Sequence, residues 1–156
     1  MTDALELAVK RHIAAPPAAV WRIMTDRITE WWCPKPWTTT IGKLEWRPGG
    51  AFHLIMRGPE GEFDCQGEGS TGGVLLNLVP GRRFVFTDAF AEGWVPRKPF
   101  LVGSFEITPD GDDTLYRASA RHWTAEAVEE HRTMGFEAGW TAVADQIAAL
   151  AEKVDA

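Results

Sequence analysis

Towards the end of the chain, apolar residues recur at helical spacing. Phe136, Trp140, Val143, Ile147, Leu150 and Val154 follow one another at intervals of four, three, four, three and four, the pattern of one helix face. Thr124–Val154 therefore reads as one long C-terminal helix. At ~1.5 Å per residue, its roughly 30 residues span about 45 Å, enough to cross a small domain. Thr124 is placed to cap it, and Ala127 stands where a full capping box would carry Glu. Gly135 and Gly139 lie one turn apart beside the stripe. Each costs about 1 kcal/mol against Ala inside a helix, which points to a packing reason: a backbone pressed against another element, or space left for something else.

Upstream the period changes. Leu5–Ile13 alternates, with Leu5, Leu7, Val9 and Arg11 on one side and Glu6, Ala8, Lys10 and His12 on the other, as in a strand with one mainly apolar face. Pro16 and Pro17 open a helix whose apolar side is Val20, Trp21, Ile23 and Met24 and which ends near Asp26. A second short helix is expected over Ile28–Trp32. The stretch WWCPKPW, Trp31–Trp37, cannot be regular structure; it is either a rigid plug at the end of the core or a lid over a cavity. From Thr38 onward strands alternate with tight turns. The expected strands are Thr39–Arg47, Ala51–Arg57, Glu62–Glu68, Gly72–Val79, Arg82–Asp88, Phe100–Thr108 and Asp113–His122. Pro109-Asp110-Gly111-Asp112 is a hairpin turn, and Ala89–Pro99 is a loop rich in Gly and Pro. Gly67, Gly69, Gly72 and Gly73 read as bulges that help a sheet curl. The implied class is α+β: one domain over 1–156, with a curved antiparallel sheet of six to seven strands wrapped on the long C-terminal helix and two short helices after the first strand.

Composition narrows the function classes. A chain of 156 residues buries about 70% of its unfolded surface as one domain and needs no disulfide or metal staple. A formal charge of −6 and a pI near 5.2, with scattered basic residues, argue against a nucleic-acid surface and against an anionic membrane. Cys33 and Cys65 are expected to be reduced thiols. The start MTDALELAVKRHI has no basic region followed by an apolar run, so neither a signal peptide nor a membrane span is expected, and a cytoplasmic location follows. Eight Trp against one Tyr suits a core or the walls of a ligand cavity.

Five stretches carry a resemblance: WWCP at Trp31–Pro34, RPGG at Arg47–Gly50, VLLNLVPGRRFVFT at Val74–Thr87, FEITPDGDDT at Phe105–Thr114 and HRTMGFEAGWTAVADQIAAL at His131–Leu150. In this order they resemble the helix-grip fold of the START-like, or SRPBCC, superfamily. Within it the chain is similar to the family related to the C-terminal domain of the heat shock protein 90 ATPase activator. The resemblance implies a cavity beneath the C-terminal helix and leaves three uses open: ligand binding, a cyclase, aromatase or hydrolase activity, or a stress-response and chaperone-interaction role. The chaperone activator also carries an N-terminal domain with no counterpart in these residues, so a co-chaperone role is not expected from the name alone.

Candidate chemistry is sparse. The histidines His12, His53, His122 and His131 show no helical metal spacing, and there is no CxxC, HExxH, GxSxG or phosphate-binding Gly loop, so no metal and no cofactor is expected. If the cavity moves protons, His53 and Glu68 are the first candidates; a surface or hydrogen-bonded histidine is the plainer reading of His53. His122 is expected to be structural. His131, off the helix stripe, is expected in solvent. Neither cysteine has a base beside it to make it a nucleophile. Glu68, Asp64, Glu45 and Arg97 are the charged residues best placed to reach a cavity or its mouth, and a solvated strand face or loop is the plainer reading of each. The aromatic residues exceed what a plain core needs. Those expected around a ligand are Trp31, Trp32, Trp37, Phe52, Phe86, Trp94 and Phe105, with Phe136, Gly139, Trp140 and Val143 as the roof. The Trp31–Trp37 and Ala89–Pro99 loops would gate entry. The expected partner is a small hydrophobic or aromatic molecule, and exposed loop tryptophans are compatible with a homodimer.

Overall fold

A computed structural model describes residues 5–60 and 70–154. The expected strand Glu62–Glu68, and with it Glu68, Asp64 and Cys65, lies outside the described residues. The order is strand β1 (Glu6–Ile13), helix α1 (Pro17–Asp26), a 3-10 turn at Ile28–Glu30, then β2 (Thr38–Leu44), β3 (Ala51–Arg57), β4 (Ser70–Val79), β5 (Arg83–Thr87), β6 (Phe90–Ala91), β7 (Val95–Pro96), β8 (Val102–Asp110) and β9 (Asp113–Arg121), followed by helices α2 (Ala125–Thr133) and α3 (Phe136–Val154). The expected second short helix is thus only a 3-10 turn.

Seven strands form one antiparallel sheet in the order β1-β9-β8-β5-β4-β3-β2. Its edges, β1 and β2, are joined in sequence through α1 and the Trp-rich loop, so the chain has to cross the open end of the curl. The register shifts once between Ile41 and Lys43 and once between Leu75 and Asn77, and such bulges sharpen the twist that curls a sheet. Gly72 and Gly73, read from sequence as bulges, sit in regular register opposite His53 and Phe52. Gly73 is there because a Cβ would collide with the Thr87 carbonyl on the neighbouring strand.

The concave face carries Phe52 and Leu54 from β3, Leu75 from β4, Phe84 and Phe86 from β5, Phe105 and Ile107 from β8, and Tyr116 and Ala118 from β9, all buried. The C-terminal half of α3 meets this face through Ala144, Ile147, Ala148 and Ala151, each at most 1% exposed. Small side chains let the helix come close to β1. Arg11 Nε donates to Asp145 Oδ1 at 2.6 Å and the Ala14 amide to Glu152 Oε2 at 2.9 Å.

The expected single long helix is two helices. Gly135 has φ of 98°, a left-handed conformation that ends α2, and its amide donates to the Arg132 carbonyl at 3.1 Å. Thr124 caps α2 as expected, its hydroxyl accepting from the Ala127 amide at 3.1 Å. Gly139 lies inside α3, and a Cβ there would meet only Pro34 Cγ at 3.9 Å. The two glycines therefore predict opposite outcomes. Gly135→Ala costs about 1–2 kcal/mol, because the left-handed backbone is strained for an L side chain. Gly139→Ala gains up to about 1 kcal/mol from helix propensity. Chemical denaturation of the two variants against the parent checks both signs.

Candidate ligand cavity

While the C-terminal half of α3 packs tightly, its N-terminal half stands over a cavity of about 430 Å³. The roof is Phe136, Gly139, Trp140 and Val143. The floor is Phe86 and Phe105 from the centre of the sheet, with Met56 from β3. One part of the wall comes from the Trp-rich loop, through Trp32, Cys33, Pro34 and Trp37; another comes from Asp88, Phe100 and Leu101. Met134 and Gly135, both exposed, sit at the rim, and His131 from α2 closes the side.

The aromatic side chains hold one another in place. Trp140 stacks on Phe105 with ring centroids 5.6 Å apart and planes 10° apart, and Phe136 packs against Trp140 at 4.6 Å. Trp32 meets Phe52, Phe86 and Phe105 at 5.3–5.5 Å. Edge-to-face and offset pairs of this kind are each worth about 0.5–1.5 kcal/mol beyond their buried area, which favours a preformed cavity.

Gln146, which the sequence did not single out, pins the Trp-rich loop to α3. Its Nε2 donates to the carbonyls of Trp31 at 3.2 Å and Cys33 at 3.0 Å, and its Oε1 accepts from the Lys35 amide at 2.9 Å. The loop is plug and wall at once. Trp31 is fully buried in the core, with its indole N–H donating to the Ile23 carbonyl at 2.9 Å, while Trp32 and Trp37 face the cavity. The Cys33 thiol meets the Thr39 hydroxyl at 3.0 Å. Burial pushes its pKa up against that hydrogen bond, which disfavours the thiolate.

Of the residues expected around a ligand, Trp32, Trp37, Phe86, Phe105, Phe136, Gly139, Trp140 and Val143 come together at the cavity. Trp31 and Phe52 stand one layer behind, in contact with Trp32. Trp94 does not join them. It is exposed on the β6–β7 ribbon against Phe90 and Gly49. The Ala89–Pro99 loop, expected as a gate, folds as that ribbon and supplies no residue to the cavity lining.

His53 is not at the cavity either. Alternation along β3 sends Phe52, Leu54 and Met56 to the concave side, so His53 faces the other way, against Gly42 of β2. Two histidines read from sequence as structural or exposed form the polar corner instead. His131 is 7% and His122 5% exposed. His122 Nδ1 lies 2.6 Å from the Phe100 carbonyl oxygen, and His122 Nε2 lies 3.0 Å from His131 Nδ1. His131 is packed among Phe100, Phe136 and Trp140 at 5.0–5.8 Å between ring centroids. Burial, reinforced by the neighbouring His122, lowers its pKa to about 4, so the ring is neutral near pH 7. The third polar group is Asp88, whose Oδ1 accepts from the amides of Phe100 at 2.8 Å and Leu101 at 3.2 Å.

Among the described residues, no group of three or more His, Cys, Asp or Glu is placed to hold a metal ion, and no helix is long and apolar enough to cross a membrane.

The family model described as "Activator of Hsp90 ATPase homolog 1-like protein" matches residues 14–152. Among solved structures, a protein of Nitrosomonas europaea is 30% identical, with 98% of this chain and 97% of that one covered and a TM-score of 0.88. A protein of Mycobacterium smegmatis is 25% identical over 96% and 92% of the two chains, with a TM-score of 0.74. One from Arthrobacter aurescens shares the fold at 21% identity, covering 98% and 89%, with a TM-score of 0.79. No curated protein matches the chain.

Proposed function

The chain belongs to the family of activator of Hsp90 ATPase homologue 1-like proteins, and from that premise we propose that it binds a small hydrophobic or aromatic molecule between its sheet and α3. Family membership fits ligand or chaperone interaction in general; the cavity is what favours the ligand. The observation that carries the reading is a space of about 430 Å³ walled mainly by Trp32, Phe86, Phe105, Phe136 and Trp140. This is within the usual range for small-molecule sites, which combine apolar walls with a few convergent polar groups. Burying an aromatic molecule there yields about 25 cal/mol per Å² before ordering costs, so affinity needs no catalytic group.

The polar corner supports binding over catalysis. A general base works best with a pKa near the operating pH, and His131, held at about 4, is a weak base at neutrality. One Asp88 oxygen is occupied by two amides.

Titration with N-phenyl-1-naphthylamine, a neutral dye that brightens in apolar surroundings, tests the reading. Saturable one-to-one binding, with quenching of Trp fluorescence, is the expected result. A dye signal that rises linearly without saturating would count against a site.

A further inference from the structure

Beside the indole N–H groups of Trp32, Trp37 and Trp140, which donate, the cavity has a polar corner of His131 and Asp88 that offers a ligand acceptors. A carbonyl oxygen cannot donate, so the 2.6 Å contact with Phe100 places the proton of His122 on Nδ1. In the neutral pair, His122 Nε2 is then bare and accepts from the Nδ1–H of His131 at 3.0 Å. That fixes the tautomer of His131 in turn: its Nε2 carries the lone pair, and the residue itself lines the cavity. Asp88 is an acceptor by nature. The Cys33 thiol is engaged with Thr39. Among the described residues, no Lys or Arg lines the cavity.

An aromatic enclosure whose polar corner accepts, with no cationic side chain on its lining, discriminates by ligand chemistry. A carboxylate or sulfonate would meet the charge of Asp88 with no Lys or Arg on the lining to offset it. A plain hydrocarbon would fill the space but leave a desolvated imidazole nitrogen unmatched. We propose that the cavity is built for an aromatic molecule carrying a hydroxyl or N–H donor, and that His131 Nε2 accepts that hydrogen bond while Trp140, Phe136 and Phe105 hold the ring. The His122–Phe100 contact is what sets the direction: it works as a positioning relay that keeps the Nε2 lone pair available. The inference rests on the ligand-binding reading above and specifies its chemistry.

Calorimetric titration at pH 7.5 with three matched probes tests it. 2-Naphthol donates, 2-methoxynaphthalene has the same ring system without a donor, and 2-naphthoate is anionic. The expected order is 2-naphthol tighter than 2-methoxynaphthalene by about tenfold, the value of one hydrogen bond that spares a buried acceptor, with 2-naphthoate weakest. His131→Phe is expected to lose the preference, its ratio of 2-naphthol to 2-methoxynaphthalene affinity falling to about one, whatever happens to its affinity for either probe. Long-range ¹⁵N–¹H NMR of the parent protein gives a second reading that does not depend on the variant folding. Both rings should report as Nδ1–H tautomers, and the His131 Nε2 resonance should move with 2-naphthol but not with 2-methoxynaphthalene. Equal binding of these two probes, or an unmoved Nε2 resonance, would overturn the donor preference while leaving the cavity reading intact. Failure of all three probes and of N-phenyl-1-naphthylamine would overturn both.

Discussion

Trp31→Ala is expected to destabilise the domain by about 3–5 kcal/mol, the usual cost of emptying a large aromatic site in a packed core. The residue has no exposed surface. It touches Trp32 and Phe105 at 5.6 Å between ring centroids, and its indole N–H is the partner of the Ile23 carbonyl at the end of α1. Truncation removes the ring, takes from that carbonyl one of its two donors (the Arg27 amide, at 3.3 Å, is the other) and takes away the support behind Trp32, three losses that act together. For a domain of this size each kcal/mol moves the melting temperature by about 2–4 °C, so a fall of about 6–20 °C is expected. Trp123→Ala is the control. Trp123 is 52% exposed, and its loss should stay within about 0.5 kcal/mol. Parallel thermal melts decide: equal shifts for the two variants would mean that the Trp-rich loop is not the plug that closes the core.

Periodicity revealed the sheet because alternation is a local property. Ala51–Arg57 is a strand over the span its pattern implied, and the Pro109–Asp112 turn joins β8 to β9 as a hairpin. The helix was misread for a specific reason. The apolar stripe begins at Phe136, and nothing upstream of it in α2 shows a comparable spacing, since only Val128 and His131 are buried there. Gly135 was visible as a cost but not as a stop, because its positive φ is a property of the backbone that a stripe of side chains does not report.

The candidate site was legible where it depends on apolar residues and illegible where it depends on polar ones. Phe136, Gly139, Trp140 and Val143 lie on one face of α3 and had to share a roof wherever the helix lay. His131 depends on where α2 is set against β9 and against Phe100, and no spacing within the chain encodes that. Its buried partner, His122, is nine residues away in sequence, just past the end of β9. Gln146 was equally invisible: its three hydrogen bonds run to a loop more than a hundred residues earlier. Polar pairing across elements emerges only from the fold.

Gly139→Phe is expected to weaken ligand binding by well over tenfold while leaving the fold intact. The position belongs to the roof of the cavity, and a Cβ there would meet nothing nearer than Pro34 Cγ at 3.9 Å. A phenyl group there enters the cavity rather than the core. Helix propensity favours the change, since Phe is better than Gly inside a helix by a few tenths of a kcal/mol, and the added ring can join the aromatic cluster of Phe105, Phe136 and Trp140. The ligand loses what the side chain takes. Denying about 100 Å² of apolar contact forfeits about 2.5 kcal/mol, on the order of 70-fold in affinity. The measurement is a paired one: N-phenyl-1-naphthylamine titration beside a thermal melt. Weakened binding with an unchanged or higher melting temperature is the expected result, and it separates occlusion of the cavity from damage to the fold, which Trp31→Ala cannot do. Unchanged dye affinity in a folded Gly139→Phe protein would mean that the dye binds elsewhere, and the space beneath α3 would lose its claim to be the site.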